Sequence, residues 1–385
     1  MENTDIAIIG GGVAGLTAAI ALQKVGITAN IYEQSTALRG IGAGFGLAAN
    51  AMHALDILGL REGVEEIGHF LPSYNILDQY GNTLASPKTE QIGTYYKQRN
   101  FALHRGELHS FLLAELTKQQ VILNKQAISF TENTDGILVY FSDGTCIHTK
   151  FLIIADGIHS KLRQQLLPEA KPRYAGYVCW RAVIDNQGID LTSSYETWGS
   201  KGRFGMTPLV GGKIYWYACI NGKYNDPILA NFTIEDLRKH FTGYHQPIRS
   251  ILNNTMTEQL IFSNIMDIKP LKNLAFDRIL LIGDAGHATT PNMGQGACQA
   301  IEDVAVLYDE LQQSTTISSA FQKVSKRRVA RTRYITDTSR QIGWIAQWEN
   351  KPLIQIRNFL MRNMPEGMKQ LQLKRLLTED FTAIK

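Results

Sequence analysis

Residues 5–34 constrain the fold most, because they read as a strand, a glycine-rich turn, a helix and a second strand. The segment DIAIIGGGVAGLTAAIALQKVGITANIYEQ opens with a buried-strand run and continues with helical spacing. Gly10, Gly12 and Gly15 lie between the first strand and the helix, and Glu33 follows the second strand. This spacing predicts a Rossmann-like βαβ unit that binds a dinucleotide.

Each residue of this motif has a physical role in holding a nucleotide. Gly10 permits the tight turn, Gly12 lets backbone approach a pyrophosphate, and Gly15 lets the helix pack closely on the strand. The helix N-terminus adds free N–H groups and positive potential for the phosphates. Glu33 would accept hydrogen bonds from ribose hydroxyls, which FAD and NAD both offer. The motif alone therefore does not choose between the two cofactors.

A second strand-to-helix stretch, ILLIGDAGHATTPNMGQGACQAIED at 279–303, favours FAD. Asp284 at the strand end would accept hydrogen bonds from ribitol hydroxyls. The backbone of Gly294 to Gly296 would meet the polar edge of a flavin ring, and the helix N-terminus would stabilise negative charge there. His287 lies between these points, and we interpret it as making a structural hydrogen bond, not as a general base.

The remaining chain alternates between α/β segments and antiparallel segments, with a period-two pattern over 174–222 that is typical of an antiparallel sheet. We predict an α/β fold: a Rossmann-like FAD-binding domain, an inserted, mainly antiparallel β-sheet substrate domain, and a C-terminal helical segment. The predicted boundaries are 1–72, 101–172 and 271–345 for the FAD-binding domain, 73–100 and 173–270 for the substrate domain, and 346–385 for the C-terminal helices.

Composition excludes several classes of function. The 385 residues carry a net charge of +4 that is spread along the chain, which indicates no nucleic-acid partner and mildly favours anionic ligands. Four cysteines show neither CxxC nor metal-ligand spacing, so we expect free thiols in a reducing compartment and no metal site. A strand begins near the N-terminus, and no apolar run reaches the ~20 residues of a membrane span. We expect a cytoplasmic monomer or homodimer without a membrane partner.

Three ordered motifs give the chain a resemblance to the single-component flavin-dependent aromatic hydroxylases, such as p-hydroxybenzoate hydroxylase and salicylate hydroxylase. They are the glycine fingerprint at 10–15, ADGIHSKLR at 155–163 and GDAGHATTPNMGQGACQAIED at 283–303. The pattern is most similar to the branch of urate hydroxylase and zeaxanthin epoxidase. The resemblance implies an FAD-dependent monooxygenase that uses NAD(P)H and O₂ to hydroxylate a small aromatic or N-heteroaromatic substrate through a flavin C4a-hydroperoxide.

The resemblance also implies which residues contact the cofactors. Arg105 matches an arginine that contacts the FAD phosphates, and Asp156-Gly157 matches a pair that serves flavin and nicotinamide handling. Arg39 matches a position near the isoalloxazine, although a surface role for it stays open. The residues expected at the cofactor are Gly10, Gly12, Ala14, Gly15, Glu33, Arg39, Gly46, Arg105, Ala127, Asp156, Gly157, Asp284, Pro291, Gly294, Gln295, Gly296 and Ala297.

Substrate contacts are expected from the inserted sheet. Arg203 and Tyr215 match the substrate-binding Arg and Tyr of the urate hydroxylase branch, and they are the predicted catalytic residues. A solvated strand-edge position is the alternative for Arg203. The residues predicted to line the substrate pocket are Phe45, Met206, Tyr217 and Asn292.

Two departures from the urate hydroxylase pattern leave the substrate open. Asn292 stands where the urate enzymes carry an acid, and Arg181 replaces a neutral residue. An amide forms hydrogen bonds but does not act as a base as a carboxylate does. Urate is therefore one candidate. An FAD-dependent epoxidase or oxidase of an isoprenoid-like substrate and a flavin-binding sensor without turnover are the alternatives.

Overall fold

The structure, a computed structural model, describes residues 2–38, 44–87, 99–117, 120–377 and 381. Its strands are β1 Glu2–Ile9, β2 Ala29–Tyr32, β3 Gly44–Leu47, β4 His69–Leu71, β5 Tyr74–Asp78, β6 Thr83–Ala85, β7 Asn100–His104, β8 Gln120–Ile122, β9 Ala127–Asn133, β10 Gly136–Phe141, β11 Cys146–Ile154, β12 Pro172–Asp185, β13 Ser194–Gly199, β14 Gly202–Leu209, β15 Lys213–Asn221, β16 Ile261–Ile268, β17 Ala275–Phe276 and β18 Ile279–Leu281. Its helices are α1 Val13–Lys24, α2 Ala49–Ile57, α3 Arg61–Ile67, α4 Arg105–Ala114, α5 Lys161–Leu166, α6 Pro227–Ala230, α7 Ile234–His240, α8 Ile248–Asn253, α9 Asp284–His287, α10 Gly296–Gln313, α11 Ile317–Ala346, α12 Lys351–Arg362 and α13 Glu366–Leu377.

The first sheet contains the predicted βαβ unit. Its parallel strands follow the order β8-β2-β1-β11-β18, and β17, β10 and β9 extend it with antiparallel pairings. Ile8 of β1 pairs with Ile31 of β2 and with Ile153 of β11, and all three are fully buried. Near-continuous apolar strands of this kind are typical of parallel sheets covered on both faces. The carboxyl ends of these strands therefore meet at one edge, where ligands bind in such sheets.

The second sheet supplies the other wall of the site. Its order is β16-β12-β15-β14-β13-β5-β6, with antiparallel pairing throughout except between β13 and β5. One face packs on α7 and α8 through Phe204, Trp216 and Ile251, which are fully buried. The predicted hairpin of β5 and β6 is present. The strands lie within the ranges predicted for the substrate domain, except that β12 begins at Pro172; the domain boundaries themselves stay a prediction.

The C-terminal helices connect the two sheets. Helix α11 packs against α10 and against the turn Pro291–Met293 that follows the first sheet. Arg340 of α11 reaches the second sheet, where its Nη1 lies 2.9 Å from a carboxylate oxygen of Asp267 in β16. Among the described residues no helix is long and apolar enough to cross a bilayer. The α/β fold with an inserted antiparallel sheet and a helical C-terminal segment is confirmed.

Candidate active site

A cleft of about 1730 Å³ runs between the two sheets. It begins at the glycine turn after β1 and ends at the exposed edge of α13, with β12, β14 and β15 along one side. Of the predicted site residues that the structure describes, all line this cleft except Gly15 and Met206. Arg39 lies outside the described residues.

The glycine turn has the geometry that its spacing predicts. Gly10 has a φ of +109°, and a Cβ at this position would lie 2.4 Å from the carbonyl oxygen of Ala155. A Cβ on Gly15 would lie 1.9 Å from the carbonyl oxygen of Gly10, so Gly15 allows α1 to pack on the turn from behind. Gly12 has open space around its Cβ position. The backbone at Gly12 is therefore accessible from the cleft.

Two side chains hold this turn in place. Glu33 Oε2 accepts a hydrogen bond from the Gly11 N–H at 2.6 Å, and Oε1 accepts one from the Ser35 N–H at 2.9 Å. His109 Nε2 lies 2.7 Å from the carbonyl oxygen of Gly11. Each carboxylate oxygen has a second lone pair, so Glu33 still offers acceptors to a ribose hydroxyl. His109 is not predictable from the sequence, because nothing in a helix-face histidine indicates a distant backbone partner.

Asp156 lies at the end of β11, in the middle of the cleft. Within the described part of the chain its Oδ1 is buried and has no hydrogen-bond partner. Burial raises the pKa of this carboxyl from 3.8 to about 6, against the opposing influence of Ser160 and Arg163. A buried acceptor without a donor costs about 1–3 kcal/mol. A hydroxyl or N–H group of a ligand would remove that cost, so this position fits a nucleotide cofactor.

The loop after β18 presents backbone and one carboxylate to the cleft. The exposed surface of Asp284 faces the cleft, and protein surrounds the residue there. This partial enclosure raises the pKa of its carboxyl, while the charge of Arg105 opposes that shift. Gly294 has a φ of +63°, and the Cβ positions of Gly294 and Gly296 are surrounded by open space. The backbone at the start of α10 is thus open to a flat ring with polar edges.

A network of buried ion pairs and hydrogen bonds from α10 and α11 holds this loop in place. Asp303 of α10 accepts the Gly283 N–H at 2.9 Å and lies 2.5 Å from His287 Nε2. Its other oxygen accepts from Arg328 Nε at 2.8 Å. His287 is buried and does not line the cleft. The interpretation of His287 as a structural residue is confirmed.

The same network continues to the turn that precedes α10. Asn50 of α2 donates through Nδ2 to Gln295 Oε1 at 2.9 Å and to Glu302 Oε1 at 2.5 Å. Glu302 also pairs with Arg328 at 2.6 Å and with Arg331 at 3.0 Å. Glu302 and Asp303 thus each have at least two hydrogen-bonding or charged partners, as buried charges require. This arrangement fixes Gln295 at the edge of the cleft.

Alternation along β14 separates the residues that face the cleft from those that face the core. Arg203 and Thr207 line the cleft, whereas Phe204 and Met206 belong to the apolar core under the sheet. The prediction that Met206 lines the substrate pocket is wrong. Successive side chains of a strand point to opposite faces, so Met206 shares the face of Phe204 and not that of Arg203.

Arg203 is the main cationic group of the substrate side. It is 1% exposed, so the solvated strand-edge alternative is wrong. Its Nη1 lies 3.0 Å from Glu196 Oε1, its Nε donates to Gln347 Oε1 at 3.0 Å, and its guanidinium lies 5.2 Å from the centre of the Tyr177 ring. Burial opposes its charge, but the paired carboxylate of Glu196 helps to keep the pKa of Arg203 above its usual value. Among the described residues, Nη2 of Arg203 is buried and has no partner.

Glu196 links Arg203 to a pair of tyrosines. The Tyr74 hydroxyl donates to Glu196 Oε2, and Tyr217 lies beside this pair. Burial raises the pKa of both tyrosines, so they are neutral donors at ordinary pH. Glu196 and Tyr74 were not among the residues predicted from the sequence. A carboxylate in the buried strand YETWG was a usable signal, since a buried acid requires a partner.

The predicted residues Phe45, Tyr215 and Tyr217 line the cleft, and the two tyrosines pack against glycines. A Cβ on Gly44 would lie 2.7 Å from Cβ of Tyr215, and a Cβ on Gly205 would lie 2.0 Å from Cζ of Tyr217. Gly44 and Phe45 both belong to β3, which contacts β15. The glycines therefore make the room that the two rings occupy.

Asn292 lines the cleft, but its amide is engaged by protein groups. Its Nδ2 donates to Thr290 Oγ1 at 2.8 Å and to the Ser339 carbonyl oxygen at 2.7 Å. Its Oδ1 accepts from the Tyr177 hydroxyl at 2.9 Å. The residue thus fixes the turn after β18 against α11 and β12. Arg181, a departure from the urate pattern, also lines the cleft beside Tyr215 and Cys179.

Comparisons with known proteins agree with this geometry. Residues 3–338 match the family described as FAD binding domain. The chain is 34% identical over 376 residues to the aurachin C monooxygenase/isomerase of Stigmatella aurantiaca, with 97% of each chain covered. It is 30% identical to the 2-heptyl-3-hydroxy-4(1H)-quinolone synthase of Pseudomonas aeruginosa, again over 97% of each chain.

Solved structures give the same result. HpxO of Klebsiella pneumoniae, complexed with FAD and uric acid, superposes with a TM-score of 0.88 at 26% identity and covers 99% of this chain and 98% of its own. A family match over most of the chain and a relative above 30% identity agree with the cleft described above. FAD is the cofactor of this family, with NAD(P)H as the reductant. The chain belongs to the FAD binding domain family and is an FAD-dependent monooxygenase of the aromatic hydroxylase type.

Proposed function

We propose that this enzyme hydroxylates an N-heteroaromatic ring that carries a carbonyl or hydroxyl oxygen and an apolar substituent, as a 2-alkyl-4-quinolone does. The observation that carries the proposal is the unpartnered Nη2 of buried Arg203 in the cleft wall. Glu196 and Gln347 hold the other two N–H edges of the guanidinium, which fixes the direction of the remaining one. A carbonyl or ionised hydroxyl oxygen on the substrate ring would accept from Nη2 and relieve the buried donor.

The cofactor side of the cleft would be occupied by FAD. In this proposal Glu33 accepts the ribose hydroxyls, the backbone at Gly12 and the Arg105 side chain hold the pyrophosphate, and Asp284 accepts the ribityl hydroxyls. The predicted residues Gly46, Ala127, Pro291 and Ala297 complete the wall. When bound and reduced by NAD(P)H, FAD supplies the activation of O₂. The chain's own groups orient the ring, hold its oxygen and exclude water.

The apolar substituent is suggested by the far end of the cleft. Side chains from the C-terminal helices and from the turn between α12 and α13 line it there, namely Ile342, Ile345, Met361, Met364 and Leu371. Apolar surface of this kind stabilises a bound alkyl chain by about 25 cal/mol per Å² that is removed from water. The similarity to a 2-heptyl-3-hydroxy-4(1H)-quinolone synthase over nearly the whole chain supports this ligand class.

Urate is the second candidate. Relatives at 29% identity over 340 residues are FAD-dependent urate hydroxylases of Klebsiella pneumoniae, and Arg203 and Tyr215 match their pattern. Against urate stand the engaged amide of Asn292 and the apolar end of the cleft, because a small polar ring would leave that end unfilled.

The proposal is tested by NAD(P)H oxidation with the FAD-loaded enzyme in the presence of a 2-alkyl-4-quinolone, urate or 6-hydroxynicotinate. The expected result is stimulation by the alkylquinolone and a product that gains one oxygen atom from ¹⁸O₂. A 4-quinolone without the alkyl chain is the control, because it cannot contact the apolar end of the cleft. Stimulation and oxygen gain with urate alone would replace the proposal by the second candidate.

A further inference from the structure

Two cysteines face each other across neighbouring strands in the wall of the cleft. Cys179 of β12 pairs directly with Cys219 of β15, and both line the cleft as free thiols. Residues directly opposite in an antiparallel pair have Cα atoms about 4.5 or 5.5 Å apart. Both spacings fall within the range of about 4.4–6.8 Å that a disulfide requires. The strands therefore present these thiols in a geometry that one covalent bond would join.

Neighbouring charges lower the pKa of one of the two thiols. Burial alone would raise the pKa of Cys179, but the hydrogen bond with Cys219 and the charges of Arg181 and Arg203 lower it to about 6. The same hydrogen bond raises the pKa of Cys219. These opposite shifts favour loss of the proton at Cys179 over loss at Cys219. The thiolate is the form that attacks an oxidant, and an adjacent thiol is what resolves the product.

The other two cysteines lack this arrangement. Cys298 lies in α10 and does not line the cleft, and burial raises its pKa to about 12. Cys146 begins β11, pairs there with Tyr140, and does not line the cleft. Neither of them lies opposite a second cysteine in the described sheets. The pair of Cys179 and Cys219 is therefore distinguished by position and by its charged neighbours.

We propose that Cys179 and Cys219 are a reversible dithiol–disulfide pair that hydrogen peroxide oxidises, and that its oxidation closes the enzyme to substrate. The Cys179 sulfur attacks one peroxide oxygen, which gives a sulfenic acid and releases the other oxygen as water. The Cys219 sulfur then attacks the Cys179 sulfur and displaces a second water. Two thiols and one H₂O₂ thus give one disulfide and two H₂O.

The effect on substrate follows from the position of the pair. The disulfide ties the Cys179 sulfur to the Cys219 sulfur, and Cys219 lies directly opposite Arg203 in the paired strands β14 and β15. It therefore changes the surroundings of Arg203 and Arg181 at the substrate side of the cleft. Peroxide is also what an oxygen-activating flavoenzyme releases when it turns over without oxygenating its substrate, so the pair would stop wasteful turnover. This last link rests on the proposed function; the oxidation itself does not.

Mass spectrometry tests the pair without any turnover. The FAD-loaded protein is treated with a small molar excess of H₂O₂, unfolded, alkylated, digested and compared with untreated protein, because both thiols are only 1% exposed in the folded chain. We expect a linked peptide pair containing Cys179 and Cys219 that has lost two hydrogens, an at least fivefold fall in alkylation of both thiols, and full reversal by dithiothreitol. Cys146→Ser is the matched control and should form the same link. Unchanged alkylation of both thiols, or a link that includes another cysteine, would overturn the proposal.

Activity is measured on the same samples. Substrate-stimulated NAD(P)H oxidation should fall at least tenfold in the oxidised protein and return after reduction, whereas Cys179→Ser, which lacks the attacking sulfur, should be insensitive to the same peroxide treatment. Linked protein with unchanged turnover would overturn the claim that oxidation closes the enzyme. If no substrate stimulates the untreated enzyme, the proposed function fails. The peptide masses still show whether Cys179 and Cys219 become linked.

Discussion

The two ends of the cleft hold their ligands with different parts of the chain. The cofactor end is built from backbone, at glycine turns whose Cβ positions are either filled by neighbouring backbone or open to the ligand. The substrate end is built from charged and aromatic side chains on β12 to β15, most of them buried and mutually paired. At the cofactor end, a side chain added to a glycine would block either neighbouring backbone or the ligand. At the substrate end, removal of one member of a buried pair would leave the other without its partner. Substitutions at the two ends should therefore fail in different ways.

The largest effect is expected at the glycine turn. Gly10→Ala places a Cβ 2.4 Å from the Ala155 carbonyl oxygen at a φ of +109°, so we expect less than about a tenth of the chain to fold with FAD bound. Gly12→Ala is the matched variant: its Cβ meets no protein atom within 4 Å, so the apoprotein should fold normally and still fail to retain FAD. FAD content and circular dichroism after desalting measure both. Full FAD retention by Gly12→Ala would contradict the backbone account of this end.

A smaller effect is expected from Glu196→Gln at the substrate end. The change leaves the charge of buried Arg203 uncompensated, so unfolding should become easier by about 3 kcal/mol, and KM for substrate should rise about tenfold with FAD retained. Urea unfolding and steady-state kinetics report the two quantities. Asp185→Asn removes a carboxylate from an exposed pair with Lys213 in the same sheet and should cost less than about 1 kcal/mol. Equal losses in the two variants would refute the buried-pair account.

An intermediate case is Asp156, a side chain at the cofactor end. Its folded pKa of about 6 exceeds the ordinary 3.8, so the folded apoprotein binds this proton more tightly than the unfolded chain does. Its destabilising effect is fully present above pH 6 and disappears as the pH falls towards 4. Asp156→Asn should therefore stabilise the apoprotein at pH 7.5 by about 1–3 kcal/mol and scarcely at all at pH 4. Urea unfolding at the two pH values checks this, and an equal gain at both would exclude a titrating carboxyl as the cause.

The smallest effect is expected from Met206→Leu. Met206 lies in the core under the second sheet, so a swap of similar volume should cost less than about 1.5 kcal/mol and leave kcat/KM within about twofold. Thermal unfolding and steady-state kinetics are the measurements. A large change in KM without loss of stability would return Met206 to the substrate pocket.

The sequence made the cofactor end predictable because its determinants are local. Gly10, Gly12 and Gly15 act through spacing within one turn, and the parallel pairing of β1 with β2 follows from the βαβ pattern. Glu33 and Asp284 were identified for the same reason, since each follows directly after a buried strand. Their contacts with a bound cofactor stay predictions.

The substrate end was less predictable because its determinants depend on strand pairing. Alternation along β14 assigns Met206 and Arg203 to opposite faces, but all eight residues of the strand are buried, so which face borders the cleft depends on what packs against the sheet. Glu196 and the cysteine pair become neighbours of Arg203 only through the register of β12 to β15. A one-residue shift in that register would exchange the two faces. Arg203 was found through the resemblance and not through its spacing.

The most direct test is a visible-absorbance titration of the FAD-loaded enzyme with the alkylquinolone, in wild type and in Arg203→Lys. Lysine keeps the positive charge but lacks the second terminal nitrogen that donates from the guanidinium fork. We predict equal FAD content in the two proteins and a Kd at least tenfold higher in the variant, a difference of about 1.4 kcal/mol. Equal affinity, or loss of FAD in place of affinity, would contradict the division of the cleft into a backbone end for FAD and a side-chain end for substrate.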